Sequence, residues 1–214
     1  CKRTNSGLIH VSTDYVFDGK KDNEYDELDI PKPINKYGKA KLEGENYIRS
    51  NLKNFYIIRT SWLYSEYEKD TNFLHKIIQS ITSGNMIFGA EDIYGSPTYS
   101  GDLAHAIMLL VNKNLKCNGE TFHFCNNGYV SRYKFIQAIV SIVSRYGHDS
   151  DIKKAKSKDF PQIAKRPLRS VLSPKKIESY LNIQIPLWDD SLEKAIKNYL
   201  NNSLGDPMSS KNQI

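Results

Sequence analysis

The chain has 214 residues and sets 30 Lys and Arg against 24 Asp and Glu, a formal charge of +6, with 39% hydrophobic residues. That balance suits a globular protein that buries a sizeable core, and no run approaches the ~18 apolar residues of a membrane span. Three scattered cysteines, Cys1, Cys117 and Cys125, argue against a disulfide framework and offer no C-x-x-C spacing for zinc. Leu8-Ile9-His10-Val11-Ser12 predicts a strand, because Val and Ile favour the pleated surface, and Thr13 ends it. A turn-rich loop with Asp18-Gly19, Pro31 and Pro33 follows, and a helix opens close to Tyr37. Phe55-Tyr56-Ile57-Ile58 is a short apolar strand, after which Arg59 to Tyr64 leave the sheet. Apolar positions 73, 74, 77, 78 and 81 predict a helix, and a second runs from Asp102 to Val111 with Thr98 or Ser100 as its N-cap. Thr121 to Cys125 reads as a strand, and Ser131 opens a helix that reaches Arg145 and stops at Gly147. Residues 151–200 are helix-rich with short strands, and the polar residues 201–214 are expected as a flexible tail. Alternating strands and helices imply an α/β fold with a largely parallel sheet and flanking helices.

Chemistry concentrates in two segments, Ser12-Thr13-Asp14-Tyr15-Val16-Phe17 and Tyr37-Gly38-Lys39-Ala40-Lys41. A phenol and an ammonium at i and i+4 share a helix face, where the cation favours the ionised phenol. Such a tyrosine can exchange a proton with an alcohol or ketone, and a threonine hydroxyl from a neighbouring strand can hydrogen-bond the same oxygen. The constellation reads as carbonyl reduction. The bare Tyr-x-x-x-Lys pair is also what an amphipathic helix places by chance, and the strand ending at Thr13 is what lifts it above that.

These segments resemble the extended short-chain dehydrogenase/reductases, and among them the dTDP-4-dehydrorhamnose reductase family. The matching stretches are His10 to Gly19, Tyr37 to Glu45, Ile58-Arg59-Thr60-Ser61-Trp62-Leu63-Tyr64, Gly95-Ser96-Pro97-Thr98-Tyr99 and Lys165-Arg166-Pro167, in the family's order. The first and third are specific to the reductases rather than to the superfamily. One departure stands out: the family commonly has Gln where this chain has Ile93. The resemblance implies NADPH- or NADH-dependent reduction of dTDP-4-dehydrorhamnose to dTDP-L-rhamnose, in nucleotide-sugar and cell-surface polysaccharide biosynthesis. It implies Tyr37 as general acid, Lys41 as a ligand of the nicotinamide ribose, and Thr13 as hydrogen-bond donor to the carbonyl oxygen. The glycine-rich phosphate turn of that family precedes the strand at Leu8. Here the closest glycines, Gly84 and Gly89, are five apart, so no G-x-G-x-x-G can be written. The expectation is therefore the C-terminal part of a Rossmann-type sheet plus a small helix-rich substrate-binding lobe, inactive by itself. Residues 1–150 would be the remainder of the NAD(P)-binding domain and 151–200 the substrate lobe.

Several other residues invite a role. Trp62 is either a wall of the sugar pocket or a core aromatic; Tyr15 either touches the sugar or packs; Asp14 either binds substrate or caps its turn. Nine Lys and Arg between Lys153 and Lys176 face a single acid, Asp159. A solvated basic face accounts for the Lys153–Lys158 run, whereas Arg166 and Arg169 are candidates for a nucleotide-sugar diphosphate, since Arg offers bidentate donors. No nucleic-acid-binding motif accompanies the charge. The histidines lack metal-ligand spacing, and Glu24, Glu27 and Asp29 read as a solvated acidic loop rather than a cation site. The expected partner is a dTDP-sugar, with no nucleic acid and no membrane, a homodimer left open, and a reducing cytoplasm as the compartment. Two alternatives stay open: a non-catalytic regulatory subunit of this fold, and a reductase of another nucleotide sugar.

Overall fold

The computed structural model describes residues 1–67, 72–113, 119–161 and 163–204. Its strands are β1 (Leu8–Thr13), β2 (Phe55–Thr60), β3 (Leu63–Tyr64), β4 (Ile87–Ala90), β5 (Tyr94–Gly95), β6 (Thr98–Tyr99), β7 (Glu120–His123), β8 (Val130–Ser131) and β9 (Ile152–Ala155). Its helices are α1 (Lys36–Asn51), α2 (Phe73–Thr82), α3 (Ser100–Asn112), α4 (Arg132–Ser144), α5 (Lys175–Leu181) and α6 (Trp188–Leu204).

The main sheet is parallel, in the order β1-β2-β7, with Leu8 opposite Phe55, Thr13 opposite Thr60, and Tyr56 opposite Glu120. Every residue of β2 is buried, as a central strand covered on both faces requires. Side chains alternate along it. Phe55 and Ile57 meet Ile48 of α1, whereas Tyr56 and Ile58 meet Leu103, Ala106 and Leu110 of α3 and Ile177 and Leu181 of α5. The sheet is thus a middle layer between α1 on one side and α3 with α5 on the other. A second core gathers Leu74 and Ile78 of α2, Phe135 and Ile139 of α4, and Leu192 and Ile196 of α6. Three short pairs, β3–β6, β4–β9 and β5–β8, join the layers, the last antiparallel.

Several local expectations differ in detail. Arg59 and Thr60 do not leave the sheet but stay in β2, opposite Ser12 and Thr13. The helix expected from Asp102 begins at Ser100, and neither Thr98 nor Ser100 caps it: Tyr99 precedes it without a side-chain cap bond. With the helix starting at Ser100, Thr98 lies one residue before the N-cap position, in β6, where its Oγ1 accepts from Thr60 Oγ1 at 3.2 Å. Within residues 151–200, α5 packs with the sheet core and α6 with the helical one. Helix α6 also runs on to Leu204, into the expected tail, whose residues from 205 onward lie outside the described ones, as does Cys117.

Candidate active site

The C-terminal end of β1 turns into a single 3-10 turn, Asp14–Val16, and its cap is a polar knot. Thr13 Oγ1 accepts from Tyr15 N at 3.2 Å and donates to Asp14 Oδ1 at 3.1 Å. Asp14 Oδ2 accepts from Ser170 Oγ, which ties this turn to the distant 165–173 segment. Burial pushes the Asp14 carboxyl up to about 6, against the opposing pull of the Ser170 and Thr13 hydrogen bonds.

Helix α1 is placed against that turn by its first residues. Asn35 caps it, its Oδ1 accepting from Gly38 N at 2.8 Å while its Nδ2 donates to Lys165 O at 2.9 Å. Only glycine fits at position 38, because a Cβ there would stand 2.1 Å from Tyr15 O. That close approach brings Tyr37 to the rim, its ring edge-on to Tyr15 at 5.8 Å and 56% exposed. One turn on, Lys41 Nζ donates to Val11 O at 2.7 Å. Thr13, Asp14, Tyr15, Tyr37, Lys41, Trp62 and Arg132 line one cleft of about 450 Å³ at the strand ends.

Trp62 carries the next feature. Its backbone is left-handed (φ +43°), a conformation costing roughly 1–3 kcal/mol that persists where surroundings over-determine it. The surroundings are Gly95, whose Cβ would stand 2.4 Å from the indole, and Arg132, whose guanidinium lies 3.5 Å from the ring centre and 4.5 Å from that of Phe73. Burial pulls the Arg132 guanidinium down to about 10, and it makes no ion pair among the described residues. A cation set against two aromatic rings with no carboxylate in ion-pair contact keeps donors free for an anion. A second pocket of about 330 Å³ shares Tyr15, Trp62 and Arg132 with the cleft and adds Phe73, Phe88, Ile93, Phe160 and Arg166.

Of the residues singled out in the sequence, Thr13, Asp14, Tyr15, Tyr37, Lys41, Trp62 and Arg166 therefore fall on two adjoining pockets. Arg169 does not join them. Ser170 faces the site, and in an extended run its neighbour faces the other way. Arg169 Nε donates to Asp22 O at 2.9 Å and its guanidinium covers Tyr129 at 4.6 Å, in a separate groove with Lys21 and Glu24. Two carboxylates of the acidic loop have partners: Asp29 pairs with Lys21 at 2.5 Å, and Glu27 accepts from His123 N at 2.6 Å. Ile93, singled out as the departure from the family's Gln, does line the smaller pocket, whereas Arg132 and Phe73 are not legible in the sequence as pocket residues. Arg132 merely follows the Ser131 cap in an ordinary-looking helix, and only the packing of α4 against Trp62 reveals it.

The family model described as the RmlD substrate binding domain matches residues 1–201. The chain is 36% identical over 204 residues to a dTDP-4-dehydrorhamnose reductase of Aggregatibacter actinomycetemcomitans, covering 92% of this chain and 67% of that protein. It is 32% identical to the reductase of the same name from Sinorhizobium fredii, covering 88% and 65%. The crystal structure of dTDP-4-dehydrorhamnose reductase from Bacillus anthracis in complex with NADP superposes with a TM-score of 0.83 at 31% identity, over 91% of this chain and 66% of that one. A dTDP-glucose 4,6-dehydratase of the same organism shares the fold, with a TM-score of 0.76 at 15% identity. The fold is thus of Rossmann type, and the chain spans about two thirds of the length of the relatives it matches.

Proposed function

Because the chain belongs to the RmlD substrate-binding-domain family, we propose that it forms the proton-donating and sugar-binding part of a dTDP-4-dehydrorhamnose reductase. The reaction is NADPH- or NADH-dependent reduction of the 4-keto sugar to dTDP-L-rhamnose. The observation that carries this reading is the meeting of Thr13, Tyr37 and Lys41 with Trp62 and Arg132 on one cleft. Its position outside the carboxyl ends of parallel strands is where α/β sheets bind ligands.

Tyr37 donates its phenolic proton to the developing alkoxide, and its exposure at the rim gives a ketone access to it. Thr13 is held at the cleft by Tyr15 N and by Asp14 Oδ1, to which it gives its one hydroxyl hydrogen, and it stabilises charge on the same oxygen once that hydrogen turns from Asp14 to the bound ketone. Arg132 and Arg166 hold the diphosphate of the sugar nucleotide, with Tyr15 and Trp62 as walls of the sugar pocket. The residues present fit the nicotinamide end of a dinucleotide: Lys41 offers an ammonium and Tyr37 a phenol to its ribose, beside the edge of β1 that no strand pairs among the described residues. The dinucleotide, when bound, supplies the hydride. Residues 1–150 are the catalytic side and 151–200 contribute to the substrate side. The compartment is the cytoplasm; no helix among the described residues is long and apolar enough to cross a membrane.

The test uses the full-length natural protein, with NADPH oxidation followed on dTDP-4-dehydrorhamnose and the product sugar identified by NMR. Tyr37→Phe should lower kcat by about 10²–10⁴-fold, the usual worth of general acid catalysis, with sugar-nucleotide affinity kept. Near-normal turnover by that variant removes Tyr37 from the role, and an inactive parent favours a regulatory subunit. A second reading has one observation in its favour: Ile93 lines the smaller pocket where the family commonly places Gln. A different nucleotide sugar then fits better, and kcat/KM compared across 4-keto sugars decides between them.

A further inference from the structure

Glu45 lies one turn beyond Lys41 on α1, is wholly buried, and belongs to neither pocket. A buried carboxylate is expensive unless every lone pair is used. Here they are. Ser12 Oγ donates to Oε1 at 2.6 Å, Arg59 Nε to Oε1 at 3.0 Å, Arg59 Nη2 to Oε2 at 2.7 Å, and Arg49 Nη2 to Oε2 at 2.9 Å. Burial by itself would raise the Glu45 carboxyl, but Arg59 foremost, then Ser12 and Arg49, hold it below the usual carboxylate range. Arg59 is itself buried, stands over Phe17 at 5.2 Å from the ring centre, and meets His123 Nε2 at 3.5 Å.

What these partners are matters more than how strong they are. Ser12 immediately precedes Thr13 on β1; Arg59 lies opposite Ser12 in the register and sits on β2; Phe17 ends the turn that starts at Thr13. One carboxylate on α1 therefore fixes the helix that carries Tyr37 and Lys41 to the strand that carries Thr13. Ion pairs of this kind are often replaceable by apolar side chains at no loss of stability, so stability alone is a poor reason for it, whereas register is a good one. Without it, α1 would still be held by the tight Gly38–Tyr15 approach and by the exposed Lys41 bond to Val11 O.

We infer that Glu45, through Ser12 and Arg59, is the positioning residue that sets Tyr37 and Lys41 against Thr13 for proton transfer. This rests on the reductase reading above. The geometry predicts a distinctive split. The residues that hold the sugar nucleotide, Trp62, Arg132 and Arg166, lie off α1, so loss of the clamp lowers kcat and spares KM.

The experiment is steady-state kinetics of the full-length protein and three variants, Glu45→Gln, Arg59→Lys and Ser12→Ala, with circular dichroism and Tm for each. Glu45→Gln should lose about 10–100-fold in kcat, the scale of an ångström-level misplacement, with sugar-nucleotide KM within about threefold. Arg59→Lys, which keeps the charge but not the fork, should fall in the same direction. Ser12→Ala leaves the ion pair intact and is the variant that decides if the other two do not fold; it should lose several-fold in kcat at unchanged KM. A folded Ser12→Ala and Glu45→Gln with kcat within twofold of the parent overturn the clamp, as does a fall in activity that only follows the folded fraction. An inactive parent overturns the reductase reading instead, and the clamp's part in proton transfer falls with it.

Discussion

Asp14 and His123 are buried titratable groups that pull the pH dependence of stability in opposite directions. Burial raises the folded Asp14 carboxyl to about 6, above its unfolded value near 4, so the folded state binds the extra proton. Its contribution is complete below pH 4 and is lost as pH rises to 6. Burial, then the Arg59 charge, lowers folded His123 to about 3 from an unfolded value near 6.5. That contribution is complete above pH 6.5 and is lost as pH falls toward 3. Replacing Asp14 with Asn should therefore shift Tm relative to the parent in the variant's favour between pH 4 and 6, and leave the difference flat above pH 7. Replacing His123 with Gln should lessen the loss of Tm on acidification below pH 6.5. Thermal melts across pH 4–8 check both, and a pH-independent difference for either variant contradicts its assignment. Arg132→Met belongs to the same scale. It removes the cation over Trp62 and should raise the sugar-nucleotide KM by about 10-fold or more, the worth of a charged hydrogen bond, with a smaller effect on kcat.

Helix α1 is the element on which the site turns, and its two glycines make a matched test. A methyl added at Gly44 would have only His10 Nε2 near it, at 4.0 Å, so alanine there should stabilise by roughly 0.5–1 kcal/mol through helix propensity. Gly38 is the opposite case, because a methyl there would meet the Tyr15 backbone oxygen at 2.1 Å and neither backbone can yield without moving the helix. Gly38→Ala should therefore destabilise the protein and lower turnover by displacing Tyr37. Urea titrations of the two single variants compare them directly, and a Gly38→Ala protein as stable as Gly44→Ala would show that the approach is not constraining.

Across the molecule, two cores meet at the site: the sheet layer supplies Thr13, Tyr37 and Lys41 to the cleft, and the helical one supplies Arg132 to the cleft and Phe73 to the adjoining pocket. The dinucleotide side is less complete within these residues. No glycine pair closer than five residues occurs, and β1 pairs only with β2 among the described residues, leaving Val11 39% exposed. Residues 1–214 should bind NADPH only weakly, because backbone N–H donors at a glycine turn are what hold a pyrophosphate and no closely spaced glycines occur among them. The open apolar edge should also promote self-association. Calorimetry with NADPH and light scattering measure these, and micromolar cofactor affinity for the 214 residues would refute the first.

The three strands of the main sheet and the helices α1 to α4 were legible from period and punctuation, whereas the short strands β3, β4, β5, β6 and β8 were not; the relation of Tyr37 to Lys41 was legible because i to i+4 spacing is a property of one helix. Thr13 was legible as the end of a strand. What the sequence could not convey was how elements cross. Glu45 meets Arg59 only because β2 lies beside β1 under α1, and Arg132 meets Trp62 only because α4 packs over the turn after β2. Arg166 and Arg169 looked equivalent by composition and were parted by the alternation of an extended run paired with Tyr94. Local periodicity and residue chemistry determined the fold class and put Tyr37 and Lys41 on one helix face, while the roles proposed for Thr13, Tyr37 and Lys41 rest on the family resemblance as well. Contacts between residues far apart in the chain, which depend on the packing of whole layers, decided which charges face the cleft and which hold it in register.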